Sequence, residues 1–257
     1  MARSKFAATL LDLLDDVSVR RVPLNAPDDP VYKLRYKSYR AEDFVHESPE
    51  ERLFDQHDLA PNVYCFGVYL KQDLVSAVRF QVVTPDQPSS VSRTIFPREL
   101  GELLGRGGRY IDPSRFVTDP DLRLSLPALP FITLRVVAMA CEHFDVDYCV
   151  SSVRPEHAAF YRRVFDSHRV EGSEGYYPGI QFAMHLYIAR VARIRDRVAI
   201  RFPFFMSTHE ERVQLFDQNA EIGIQHLVKP TAHAAQYDDN EKPAPVPGAK
   251  PEDSDPS

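Results

Sequence analysis

The chain has 257 residues, 44% hydrophobic and 26% charged, with a net charge of −6 at neutral pH. This excludes a fibrous or wholly unstructured chain and gives ample apolar material for one large domain or two small ones. The acidic balance argues against nucleic acid as a partner, so any anion site has to be local. The three cysteines, Cys65, Cys141 and Cys149, are odd in number, well separated and free of CxxC spacing. They predict buried thiols in a reducing cytoplasm rather than a disulfide framework.

In chain order, residues 1–20 carry an apolar run, Phe6 to Leu11, which Asp12, Asp15 and Asp16 interrupt well short of a membrane span. A short amphipathic helix is expected there, and no later stretch is long and apolar enough to predict a transmembrane segment. Val31 to Phe44 predicts a helix, with Leu34, Tyr36 and Tyr39 among Arg35, Lys37 and Arg40 and the Asn25–Pro30 turn leading in. Val63 to Leu70 and Leu74 to Val83 are β-rich and read as a hairpin across Lys71-Gln72-Asp73. Prolines 85, 88 and 97 then mark a loop, and Arg98 to Leu104 is a helical turn before Gly105-Arg106-Gly107-Gly108.

Beyond Tyr110 the periods alternate. Phe131 to Phe144 is apolar around most of its circumference, as a helix pressed on a sheet would be. Tyr148 to Val153 is a short strand, Pro155 suits a first helical position, and Glu156 to Phe165 is the next helix. Phe182 to Ile194 is a final β-rich run leading into Arg197–Phe205. The order is that of an α/β fold with one mixed, twisted sheet covered by helices. The tail, 237–257, is rich in proline and acids and is expected to be disordered.

One strand stands out, Tyr110-Ile111-Asp112-Pro113-Ser114-Arg115-Phe116-Val117. Its aromatic and β-branched residues favour a strand, but Pro113 cannot donate to a central ladder, so the ladder is expected to open or bulge there. An opened strand exposes backbone amides and admits a ligand; an edge strand with an Asp-Arg surface pair is the alternative.

Arg154-Pro155 followed by Phe160-Tyr161-Arg162-Arg163-Val164-Phe165 resembles the second half of a GNAT-type acyltransferase. In the first half, Arg35 and Tyr39 on a helix, then Phe54-Asp55-Gln56-His57-Asp58, then Arg79, then Asp112-x-x-Arg115-Phe116, follow the order and spacing of the acyl-homoserine-lactone (autoinducer) synthases. The pattern is closer still to their relatives, the N-acyl amino acid synthases, and spans roughly residues 31–194. The resemblance implies a bacterial acyltransferase with a GNAT-like fold and splayed central strands over residues 21–206, with a C-terminal extension at 207–236. It also implies that Arg35, Asp55, Asp58, Arg79, Asp112 and Arg115 surround the cleft. The family commonly has glutamate where this chain has Asp112, so the shorter acid is expected to act through a water. The chain has no tryptophan. Phe44 stands where the autoinducer synthases usually carry one, which favours an amino-acid acceptor over a homoserine lactone.

Such a site has to take a proton from an ammonium, polarise a thioester carbonyl and hold both partners together. Asp112 is the expected base, amides beside Pro113 the oxyanion donors, and Arg115 either the holder of an acceptor carboxylate or the anchor of the loop bearing Asp55 and Asp58. Arg35, Asp55, Asp58 and Arg79 form the expected substrate-binding set, with the two acids paired to the arginines so as to pin the first helix over the sheet. His46, Asp55, His57 and Asp58 could be drawn as metal ligands, but without HExxH or CxxC no metal is expected.

Residues 118–130 contain no glycine, whereas CoA-dependent GNAT enzymes usually cradle the pyrophosphate there on a glycine-rich turn. The expected donor is therefore acyl-phosphopantetheine on acyl carrier protein, with no permanently bound cofactor. Arg154, Arg162 and Arg163 offer that acidic carrier a landing surface, a solvated basic face being the alternative. Phe202-Pro203-Phe204-Phe205-Met206 is expected to cover the core, with lining an acyl tunnel as the other possibility. The reading is transfer of a long-chain acyl group from acyl carrier protein to an amino-acid amine. Its alternatives are an acyl-homoserine-lactone synthase using S-adenosylmethionine and a non-catalytic acyl-carrier or lipid-binding module.

Overall fold

In the computed structural model the chain is described over residues 4–177, 183–223 and 225–235, the side chains of Asp196 and Arg197 excepted. Phe182 and the tail at 237–257 lie outside the described residues. Helix α1 (Lys5–Leu14) is capped by the Ser4 side chain and buries Ala7, Leu10, Leu11 and Leu14. Strand β1 (Val17–Arg21) follows, then helix α2 (Pro30–Arg40). Asp29 caps α2 by accepting from the Val31 amide at 3.0 Å, and Pro30, which has no amide to leave orphaned, sits in the first turn. The same carboxylate takes a fork of two 2.8 Å bonds from Arg20, tying α2 to β1.

A single 3-10 turn (Gln56–Leu59) precedes the hairpin of β2 (Val63–Leu70) and β3 (Asp73–Val83), which turns on Lys71 in the left-handed region at φ 58°. Helices α3 (Val91–Ile95) and α4 (Pro97–Gly105) lead to β4 (Tyr110–Thr118). Helix α5 (Leu129–His143), β5 (Tyr148–Val153) and α6 (Ala158–Phe165) come next, then the two-residue strands β6 (His168–Arg169) and β7 (Gly175–Tyr176) and strand β8 (Ala183–Arg190). Helices α7 (Val191–Arg201), α8 (His209–Phe216) and α9 (Ala232–Ala235) close the described chain.

The strands form one sheet in the order β1-β2-β3-β4-β5-β8-β6, with β7 on β8. Among the described residues β4–β5 is the parallel pair. It holds only at Tyr110↔Tyr148 and Ile111↔Cys149, after which the two strands part. On the other side of β4 the register slips opposite Ala77 and Arg79, and Arg115 takes up the extra residue at φ 49°. The expected opening is thus divided. The β5 edge opens just before Pro113, which has no amide to pair, and the β3 edge bulges two residues later.

Alternation along the strands sorts the core. Phe66, Val78, Phe80 and Ile111 face α5, α1 and Phe216, while Cys65, Ala77 and Val117 face α2 with Val31, Tyr32 and Leu34. Val83 and Tyr110 continue the second face under α4. The C-terminal helices join the first face, where buried Arg135 of α5 pairs with Glu211 at 2.8 Å and donates to the carbonyl of Phe204.

Several elements differ from the sequence reading. Strands β1, β6 and β7 and helices α3, α8 and α9 were not foreseen. The last β-rich run ends at Arg190 because β5 begins at Tyr148, its partner, so Val191 onward has no strand to pair with and coils.

Candidate active site

The centre of the α2 face is a cluster of three guanidiniums and two carboxylates. Asp55 and Asp58 are brought together by the 3-10 turn itself, a reciprocal cap in which Asp55 accepts from the His57 amide at 2.9 Å and Asp58 from the Asp55 amide at 3.0 Å. Arg35 of α2 donates to Asp58 at 2.8 Å and to Cys65 Sγ at 3.1 Å. Arg79 of β3 reaches Asp55 at 2.7 Å and Asp58 at 3.1 Å, and its Nε donates to Ser114 Oγ. Arg115, thrown sideways by the bulge, holds Asp55 through Nε and Nη2 at 3.0 and 2.7 Å, between the rings of Tyr39 and Tyr177.

Arg35, Arg79 and Asp58 are fully buried, so these bonds fix the 3-10 turn and α2 on the sheet, and Arg115 anchors the Asp55 loop. Burial works to raise the Asp55 pKa, but Arg79 and Arg115 outweigh it and hold the carboxyl well below the usual range. Arg35 lies behind this layer, while Asp55 and Arg115 reach a pocket of about 360 Å³ whose lining includes His57 and Tyr177, with Val91 and Thr94 of α3 as a wall. Burial, then the positive field of Arg79, lowers the pKa of the His57 imidazole.

Asp112 is placed differently. It is fully buried on the same sheet face, away from the guanidinium cluster's hydrogen bonds, with both oxygens taken by α3: the Ser92 amide at 2.8 Å and Ser92 Oγ at 2.5 Å. Burial raises its pKa, and the bonds from Ser92 and Ser90 and the more distant Arg79 charge offset only part of that.

On the opposite face a cavity of about 830 Å³ runs from Pro113, Cys149 and Ser151 at the splay, past Tyr161 and the α5 residues Leu134 and Val137, to Val198, Phe205 and Met206. In the Phe202–Met206 segment, Phe202, Phe204 and Phe205 fill the core, as expected, and Phe205 and Met206 also line the cavity. Cys141 and Cys149 line it as well, whereas Cys65 lies under Arg35. Arg162 and Arg163 are exposed on α6, while Arg154 is engaged with Glu156 and His157 and lies over the Phe44 ring. Among the described residues no group of three or more His, Cys, Asp or Glu gathers as a metal site. The sequence reading did not single out Ser92, which bonds Asp112, or Tyr177, which stacks on Arg115, since neither lies in a motif, and it weighed His57 only as a metal ligand.

Known proteins share the family pattern and the fold. The model of a family described as N-acyl amino acid synthase FeeM matches residues 30–190. The structure of FeeM, an N-acyl amino acid synthase from uncultured soil microbes, superposes with a TM-score of 0.56 at 16% identity, covering 72% of this chain and 96% of that one. BjaI, a CoA-dependent acyl-homoserine lactone synthase with SAM and isopentyl-CoA, gives 0.52 at 14% identity over 72% and 89% of the two chains. MesI, also a CoA-dependent acyl-homoserine lactone synthase, gives 0.50 at 13% over 72% and 94%. No curated protein sequence matches the chain. The mixed sheet, open between β4 and β5 and flanked by helices, is the α/β architecture expected from the sequence, and the fold is shared with FeeM.

Proposed function

The chain belongs to the FeeM family of N-acyl amino acid synthases, and from that premise we propose that this acyltransferase moves a long-chain acyl group from acyl carrier protein to the amine of an amino acid. One observation carries the reading. Strand β4 shows Pro113 to the larger cavity and, two residues on, Arg115 to the pocket that holds Asp55 and His57, and the ladder to β5 is open between them.

A thioester entering the splay puts its chain among Leu134, Val137 and Phe205, where each buried methylene contributes about 0.8 kcal/mol. The acceptor enters from the other face, its carboxylate toward the open edge of Arg115 and its nitrogen toward the splay. Amides freed where β4 leaves β5 are the donors for the developing oxyanion, each worth about 10²–10³ in rate. Asp112, with its raised pKa, is the base.

The donor is read from the β4–α5 connection. It has no glycine, and it carries Asp119 and Asp121, both bonded to Lys37 at 2.7 Å, where a pyrophosphate would need amides and positive charge. A phosphopantetheine arm makes no such demand, and exposed Arg162 and Arg163 suit an acidic carrier. Mass spectrometry of products tests the whole reading, using palmitoyl carrier protein or palmitoyl-CoA with the twenty amino acids and S-adenosylmethionine. An N-palmitoyl amino acid formed faster from the carrier is expected. An acyl lactone, or retained acyl carrier without product, overturns it.

A further inference from the structure

Asp112 cannot meet an acceptor directly, because it is fully buried and both its oxygens are bonded to α3. Ser92 Oγ, which holds Asp112 at 2.5 Å, lies on its other side 2.7 Å from Ser152 Oγ. Ser152 is on β5, just past the last β4–β5 pair at Cys149, and is only half buried. Its neighbour Ser151 lines the acyl cavity, so by strand alternation Ser152 points to the opposite, acceptor-side face of the opening. A buried carboxylate thus communicates with the splay through two hydroxyls.

We propose that Ser92 and Ser152 form the proton relay between the acceptor's ammonium and Asp112, in place of a water; this rests on the acyltransfer reading above. A hydroxyl can accept one proton while releasing another, which is what each position requires. The ammonium gives a proton to Ser152 Oγ, the Ser152 proton passes to Ser92 Oγ, and the Ser92 proton passes to Asp112 Oδ1. The freed nitrogen lone pair then attacks the thioester carbon. The tetrahedral intermediate expels the thiolate, which takes the second nitrogen proton, and Asp112 returns its proton along the same line to solvent. Ammonium and thioester become amide, thiol and one released proton.

The groups facing Asp112 suit this role. Arg79 on β3 is the nearby positive charge, Tyr110 on β4 is a phenol that burial keeps protonated, and His57 on the 3-10 turn is an imidazole whose pKa burial lowers. None of them hydrogen-bonds the carboxylate, and Ser92 alone connects it to the splay.

The test measures thiol release from palmitoyl carrier protein by the full-length enzyme and its Ser92→Ala and Ser152→Ala variants. The acceptor is either a mixture of the twenty amino acids or hydroxylamine, which is largely unprotonated at pH 8 and has no ammonium proton to lose. Ser92→Ala keeps the amide bond to Asp112, and Ser152 is half exposed, so both variants are expected to fold, as near-UV circular dichroism will check.

With amino acids, each variant is expected to lose about 100-fold in kcat at unchanged KM, the lower end of the range for general acid–base catalysis. With hydroxylamine the deficit shrinks to twofold or less. A kcat within twofold of wild type on amino acids overturns the relay, and so does an equal loss on both acceptors, which marks a structural role. Wild-type enzyme silent with amino acids but active with hydroxylamine removes the acceptor reading instead, and the relay with it.

Discussion

Asp55 and Asp112 are the same residue type on the same face of one sheet, and their surroundings drive them apart. Asp55 accepts from Arg79 and Arg115, so its charge is neutralised and its pKa is held low. Asp112 has only amide and hydroxyl donors, and burial pushes its pKa up. A carboxylate fixed in its charged state serves as architecture, whereas one whose proton affinity is raised is the better acceptor of a proton. The comparison separates the part of the cluster that holds the cleft together from the part proposed to do chemistry.

Breaking the architectural side has the largest expected effect. Arg79→Ala leaves Asp55 and Asp58 without their shared partner inside the protein and should cost about 3–5 kcal/mol in urea unfolding. The pH dependence has a definite sign. Because the folded-state pKa of Asp55 is depressed, its stabilisation is present above the unfolded value of about 3.9 and is lost as pH falls toward the folded one. Acid unfolding of Asp55→Asn should accordingly be flatter than that of wild type below about pH 4.

The cavity sharpens the contrast between the two faces at a smaller scale. Ala138→Phe fills part of the wall and should shift preference to shorter acyl donors, by about 0.8 kcal/mol, or roughly fourfold in kcat/KM, for each methylene excluded. A chain-length series of thioesters reads this directly. Smallest is the carrier surface. Reversing Arg162 and Arg163 to Glu should raise KM for acyl carrier protein about tenfold while leaving small thioester donors unaffected.

Much of this was legible in the sequence. The β2–β3 hairpin, β4, α5 and β5 declared themselves through strong periodicity, and β5 has its predicted bounds. The ion-pair partners of Asp55 and Asp58 could be anticipated because buried charges need opposite charges. Strand β1 was hidden by its length of five residues: Val17-Ser18-Val19-Arg20 alternates apolar and polar, but too briefly to stand out beside the paired arginines. The setting of Asp112 was illegible for a different reason. Ser92 sits 20 residues upstream on a five-residue helix, capped by Ser90, whose position is decided by docking on β4 and β5 rather than by local pattern. Arg115 fell between these cases. Pro113 announced an irregular strand, but only the observed register shows that the bulge turns Arg115 onto Asp55.

The most direct test of the contrast is the pH profile of kcat for Asp112→Asn beside Asp55→Asn, with palmitoyl carrier protein as donor. Wild-type kcat should fall as pH drops through the raised Asp112 pKa. In Asp112→Asn that limb should vanish and leave a rate at least about 100-fold lower, while in Asp55→Asn the limb stays where it was. A low-pH limb that survives in Asp112→Asn at undiminished kcat would contradict the assignment of Asp112 as the base.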